Sequence, residues 1–121
     1  MINAKELKKG NYVIHEGEPH IVNDFSIDGN NINVVLQCLF SEDIKNIVLD
    51  ITQGLEEANI ARKTASVLFK KRGKLEIMDS YDFSVHTVDV DKGTFSNAVE
   101  GDQVTYIKFQ ELVKILELRK N

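Results

Sequence analysis

Apolar and polar positions alternate in short runs along most of this chain, and the runs are separated by residues that favour tight turns. The run Asn11-Tyr12-Val13-Ile14-His15 is followed by Glu16-Gly17-Glu18-Pro19 and then by His20-Ile21-Val22-Asn23-Asp24-Phe25, which predicts a β-hairpin. Asp28-Gly29-Asn30-Asn31 supplies the next reversal, because Asp, Gly and Asn tolerate the positive φ of a tight turn. Residues 32–40 form the longest strand candidate, Ser41-Glu42-Asp43 is a third turn, and Ile44 to Leu49 is a further strand. The pattern stops between Asp50 and Ala58, where Thr52-Gln53-Gly54-Leu55-Glu56-Glu57 shows no strand alternation and reads as a connector.

The second half resumes with the run from Asn59 to Phe69, which ends at a Lys70-Lys71-Arg72-Gly73-Lys74 turn. Leu75-Glu76-Ile77-Met78-Asp79 alternates as a half-buried strand does, Ser80-Tyr81-Asp82 reverses the chain, and Phe83 to Val90 carries the same period. Asp91-Lys92-Gly93 and Glu100-Gly101-Asp102 bracket a segment with room for one helical turn. Gln103 to Phe109 is another strand. In the last run, Leu112, Ile115, Leu116 and Arg119 fit a helix face, but the β-rich surroundings favour a strand. Short strands joined by tight turns predict small, strongly curled sheets: an all-β chain with one barrel over residues 1–57 and a five-stranded OB-like barrel over residues 58–121.

Composition narrows this little. The chain of 121 residues is 42% hydrophobic and 28% charged, ordinary values for a globular protein. No apolar run approaches the roughly 18 residues of a membrane span, and the first residues lack the apolar core of a signal peptide, so a cytoplasmic location without membrane contact is expected. The lone cysteine, Cys38, has no intrachain partner and sits in an apolar run, as a buried thiol does. Charge is more informative. Residues 1–60 hold four lysines against ten acidic residues, whereas residues 61–121 hold eleven Lys and Arg against nine. Attraction to nucleic acid therefore falls to the second half.

Chemistry is sparse. His15, His20 and His86 lack metal-ligand spacing, although His15 and His20 flank one turn and face each other across it. The seven glycines stand singly, so no phosphate loop exists, and no nucleophile has a base at a suitable spacing. Asp79 and Asp82 read as turn formers rather than an acid/base pair. No catalytic residue, metal site, cofactor or small-molecule substrate is expected. The one cluster with a binding character is Lys70, Lys71, Arg72 and Lys74 around Gly73; Tyr81 and Phe83 are either core residues or, if exposed, base-stacking surfaces.

Leu7-Lys8-Lys9-Gly10-Asn11-Tyr12-Val13-Ile14 together with Gly17-Glu18-Pro19-His20-Ile21-Val22 resembles the opening of the translation initiation factor 5A and elongation factor P family. Arg62-Lys63-Thr64-Ala65-Ser66-Val67-Leu68 is similar to the start of that family's second domain in its archaeal and eukaryotic form, and Ile77-Met78-Asp79 and Glu100-Gly101-Asp102-Gln103-Val104 fall where the family has similar segments. The resemblance implies an SH3-like barrel followed by an OB-fold, and a protein that works beside peptidyl-tRNA on the ribosome. It adds Arg62 and Lys63 to the lysine–arginine loop as candidate nucleic-acid contacts. In the family a hairpin tip of the first domain carries a modified lysine in a Pro-Gly-Lys-His-Gly or similar loop. Here Asp28, Gly29, Asn30 and Asn31 stand in that place, in a shorter and uncharged-to-acidic turn. Two roles follow as expectations: a ribosome- or tRNA-binding factor without the modifiable lysine, or a repurposed interaction or self-assembling paralogue.

Overall fold

The computed structural model describes residues 1–121, the whole chain, as two compact units, Met1–Asn59 and Ile60–Asn121. The first unit contains β1 (Ile2–Asn3), a 3-10 turn at Ala4–Glu6, β2 (Tyr12–His15), β3 (Glu18–Asp28), β4 (Asn31–Cys38), β5 (Ile44–Asp50) and β6 (Gly54–Glu57). Its antiparallel sheet runs β1-β6-β2-β3-β4-β5. Period-two alternation decides which face is buried: Ile32, Val34, Leu36 and Cys38 of β4 point inward, while Asn31 and Asn33 point to water. Ala4, Leu7, Val13, Val22 and Leu55 complete this core. A bulge at Asn23, between Val22 and Asp24, adds twist to the long β3 and helps curl the sheet.

Residues 50–58 depart from the expected connector. Gly54–Glu57 pairs with β1 on one side and with β2 on the other, Glu57 opposite Val13 and Glu56 opposite Ile14. One apolar residue suffices for a four-residue strand whose only inward position is Leu55, so the segment shows no visible alternation. The longest strand is also β3, at 11 residues, rather than the run from residue 32 to 40, because Ser26-Ile27-Asp28 stays paired with Asn31-Ile32-Asn33 up to the turn.

The second unit contains β7 (Arg62–Lys71), β8 (Lys74–Asp79), β9 (Val85–Asp89), α1 (Lys92–Asn97), β10 (Gln103–Phe109) and β11 (Leu112–Arg119). The sheet order is β11-β10-β7-β8-β9, with the short helix in the connection from β9 to β10, the arrangement of a partly open OB-type barrel. Ala65, Val67, Leu75, Ile77, Val88, Val104 and Tyr106 fill its core. Asp91 caps α1 by accepting a hydrogen bond from the Thr94 N–H. The ambiguous last run is a strand, paired with β10 on both sides of a bulge at Leu116. The protein is thus all-β, an SH3-like barrel followed by an OB-type barrel, and no helix is long and apolar enough to cross a membrane.

Candidate nucleic-acid interface

The six cations expected to meet nucleic acid do not form one patch. Arg62 and Lys63 open β7, and Lys71 closes it. Nine residues of strand at about 3.3 Å each put the two ends roughly 25–30 Å apart. At the far end, Arg72 (φ 52°) and Gly73 (φ 81°) are the two central residues of a two-residue hairpin turn, and positive φ at both is what strand twist demands of a type I′ turn. Two of the loop's cations are already engaged. Lys70 lies over the Phe95 ring at 5.1 Å and donates to the Ser96 carbonyl, and Lys74 pairs with Asp89 at 3.4 Å. Lys71 and Arg72 are exposed and have no hydrogen-bond or ion-pair partner.

At the near end, Arg62, Lys63 and Thr64 line an open cavity of about 300 Å³ together with Asp79, Tyr81 and Asp82. The 79–84 corner is tightly bonded. The Asp79 N–H donates to the Ser84 carbonyl and the Phe83 N–H to the Asp79 carbonyl, closing the corner on itself. The buried Asp79 carboxylate accepts from the Tyr81 and Asp82 N–H groups at 2.8 and 2.9 Å and from the Tyr106 hydroxyl at 2.5 Å. Burial pushes this carboxyl up, but the hydrogen bonds from Tyr106, Asp82 and Tyr81 outweigh it and hold Asp79 at about 2. Burial, and then Asp79 as acceptor, push the Tyr106 hydroxyl well above its ordinary value. Asp79 and Asp82 are turn formers, as their positions suggested, but Asp79 has a partner 27 residues away that no local pattern announces.

Asp82, Ser84 and His86 superficially resemble a nucleophile relay. The Ser84 hydroxyl donates to Asp82 Oδ1 at 2.6 Å, and His86 Nε2 lies 3.0 Å from the Ser84 hydroxyl oxygen. With its proton on the carboxylate, the serine oxygen accepts from the histidine, which is the reverse of the order that activates a serine. The cluster fixes the corner. It does not create a nucleophile.

The alternatives left open for Tyr81 and Phe83 resolve in favour of exposure: Tyr81 is 93% and Phe83 68% accessible. Phe83 also has φ +62°, which ends strand pairing there and starts β9 at Val85 rather than at residue 83.

In the first unit, the Asp28–Asn31 tip is a two-residue turn whose first central residue, Gly29, has φ +61°, the type II′ preference. The neighbouring strand follows it to the end: Asn31 pairs with Asp50, and the Ile51 N–H donates to the Asn30 carbonyl at 2.8 Å. Only the turn itself extends past the sheet. The lysines of this unit lie elsewhere. Lys45 is bound to Glu16 at 2.9 Å, and that contact raises Lys45 and lowers Glu16; Lys9 pairs with Asp24 at 3.4 Å. His15 and His20 do meet, edge to face at 5.5 Å between ring centroids.

No protein-family model matches the chain. Translation initiation factor 5A of Sulfurisphaera tokodaii is 27% identical over 124 aligned positions, which cover 94% of this chain and 93% of that protein. Among solved structures, the eukaryotic translation initiation factor 5A from Methanococcus jannaschii superposes with a TM-score of 0.85 at 24% identity, covering 97% of this chain and 92% of its own. A translation initiation factor 5A family protein from Naegleria fowleri gives a TM-score of 0.73 at 20% identity, with 98% and 96% covered. Along nearly the whole sequence this chain is similar to translation initiation factor 5A, and it shares the two-barrel fold of the solved 5A structures.

Proposed function

We propose that this protein is a non-enzymatic translation factor of the 5A type, working in the cytoplasm, that engages ribosomal or transfer RNA through its second unit and carries no modifiable lysine at the hairpin tip. The observation that supports this reading is where unpaired positive charge lies on a 5A-like scaffold. Arg62, Lys63, Lys71 and Arg72 lack ion-pair partners and all belong to the second unit. The first unit is net acidic by six charges, and its hairpin tip offers Asp28, Gly29, Asn30 and Asn31. A tip of that composition neither neutralises phosphate nor reaches beyond the neighbouring strand, so RNA affinity on this scaffold comes from the second unit.

Co-sedimentation with ribosomes in rising salt tests the reading. The parent protein is expected in the pellet at low salt and is released as salt rises. The variant Arg62→Glu, Lys63→Glu, Lys71→Glu, Arg72→Glu stays in the supernatant throughout. Changing Asp28 or Asn30 to Ala leaves pelleting unchanged. A parent protein that never pellets and instead forms concentration-dependent oligomers overturns the proposal in favour of a self-assembling role.

A further inference from the structure

We infer that the 79–84 corner is a base-stacking site for unpaired RNA nucleotides, with Tyr81 and Phe83 as the stacking rings and Arg62 and Lys63 as the phosphate contacts. The inference rests on the RNA-binding reading above and adds the class of ligand and the residues that take it.

Three observations converge. First, two aromatic rings two residues apart stand in water, Tyr81 93% and Phe83 68% accessible, where folding alone would bury such area. Second, the backbone beneath them is fixed rather than loose. Asp79 takes part in five hydrogen bonds with the corner and with the buried Tyr106, and Ser84 is bonded to Asp82 and His86. Phe83 is held at φ +62°, a conformation unfavourable for a bulky side chain, and it is displayed outward without packing that would compensate. A backbone fixed before binding has little freedom to lose when a base stacks on the rings it carries. Third, two cations lie beside them. Arg62 and Lys63 line the cavity next to Tyr81 without a salt bridge; Asp79 and Asp82 on the same wall stay ionised, helped by Lys63, but spend their oxygens on the donors of Tyr106, Tyr81, Asp82 and Ser84. Aromatic rings beside a cationic track are how single strands are bound without sequence readout, because every base offers a π-face. A duplex has its faces already stacked and offers nothing to these rings.

The test uses the full chain and fluorescence anisotropy with a labelled single-stranded RNA of about ten nucleotides, an abasic strand of the same length and a duplex. The parent is expected to bind the single strand more tightly than either control. Tyr81→Ala is expected to weaken it about 5- to 100-fold with an unchanged salt slope, since stacking releases no counterions, while Tyr81→Phe retains binding. Phe83→Gly weakens it as well, with a melting temperature no lower than the parent's, because glycine suits the positive φ. Arg62→Glu with Lys63→Glu weakens binding and flattens the salt slope. Equal affinity for the abasic strand, or a Tyr81→Ala variant that binds like the parent while the charge reversal fails, overturns stacking and leaves the RNA reading standing. A Tyr81→Ala variant with parental RNA affinity that no longer pellets with ribosomes reveals a protein contact and also overturns it. A parent that binds no RNA and no ribosome removes both readings.

Discussion

Replacing Tyr106 by Phe removes one oxygen atom, and the structure specifies what that does. The hydroxyl is fully buried and donates at 2.5 Å to Asp79, which is 3% accessible. A hydrogen bond to a buried charged acceptor is worth about 1.5–3 kcal/mol, and deleting the donor leaves the acceptor short of one partner. Asp79 still keeps the Tyr81 and Asp82 N–H groups, so the cost stays near the middle of that range, about 2 kcal/mol at pH 7. For a unit of this size, that lowers the melting temperature by roughly 8–16 °C. The pH dependence provides the sharper check. Asp79 has a folded-state pKa of about 2 against an ordinary 3.8, so its stabilisation is fully present above about 4 and is lost as pH falls toward 2. Without the hydroxyl, the folded value moves up toward 3.8 and less remains to be lost. The gap between parent and variant is therefore widest at neutral pH and narrows in acid. Urea unfolding of both proteins at pH 7 and pH 2.5, followed by circular dichroism, measures it. A variant within about 0.5 kcal/mol of the parent at pH 7, or a gap equally large at both pH values, refutes the assignment of Asp79 as an ionised acceptor.

Two further outcomes follow from other contacts. Asp102, nearly inaccessible, accepts from Lys120 and from the Val99 and Asn121 N–H groups, and the Lys120 contact above all lowers its carboxyl to about 2. Lys120→Met is expected to raise that pKa and to free residues 120 and 121, read by carboxyl NMR titration between pH 2 and 5; an unmoved Asp102 resonance rules out the contact. Gly29→Ala places a Cβ at φ +61°, where space is open but the backbone conformation is costly, and is expected to destabilise the first unit by about 1 kcal/mol with no change in ribosome pelleting. Denaturant midpoints and the pelleting assay check both halves of that statement.

What the sequence made legible was set by local rules, and what it concealed was set by long-range pairing. The turns at Asp28–Asn31 and at Lys70–Lys74 depend on residues that tolerate positive φ, so neighbours alone reveal them. The β4 register follows from the spacing of Ile32, Val34 and Leu36. The strand Gly54–Glu57 was hidden because its partners, Ile2–Asn3 and Val13–Ile14, lie some 40–50 residues away and require only Leu55 to be apolar. Arg62 and Lys63 are close in number to the 70–74 loop, and the sequence does not say whether they are close in space. An extended strand carries its ends as far apart as a peptide can, and the set divides. The exposure of Tyr81 and Phe83 is hidden for a different reason. Aromatic residues between strand segments are usually core, and the corner that holds these rings out depends in part on a bond from Tyr106, 27 residues away, to Asp79.

The two turns, one in each unit, differ in the same physical terms. At the hairpin tip, pairing of Asn31 with Asp50 and the Ile51–Asn30 hydrogen bond hold an uncharged-to-acidic turn down to the sheet. At the 79–84 corner, a larger set of hydrogen bonds holds the backbone that carries two exposed rings, beside Arg62 and Lys63. Rigidity is common to both, so rigidity alone cannot identify a binding surface. What separates them is the group displayed: phosphate is attracted by Arg62 and Lys63 and repelled by Asp28, and a base finds a π-face at Tyr81 and none at Asn30. If RNA contact belongs with the second unit, as proposed, exchanging the displayed groups while leaving the corner's hydrogen bonds intact is expected to remove it.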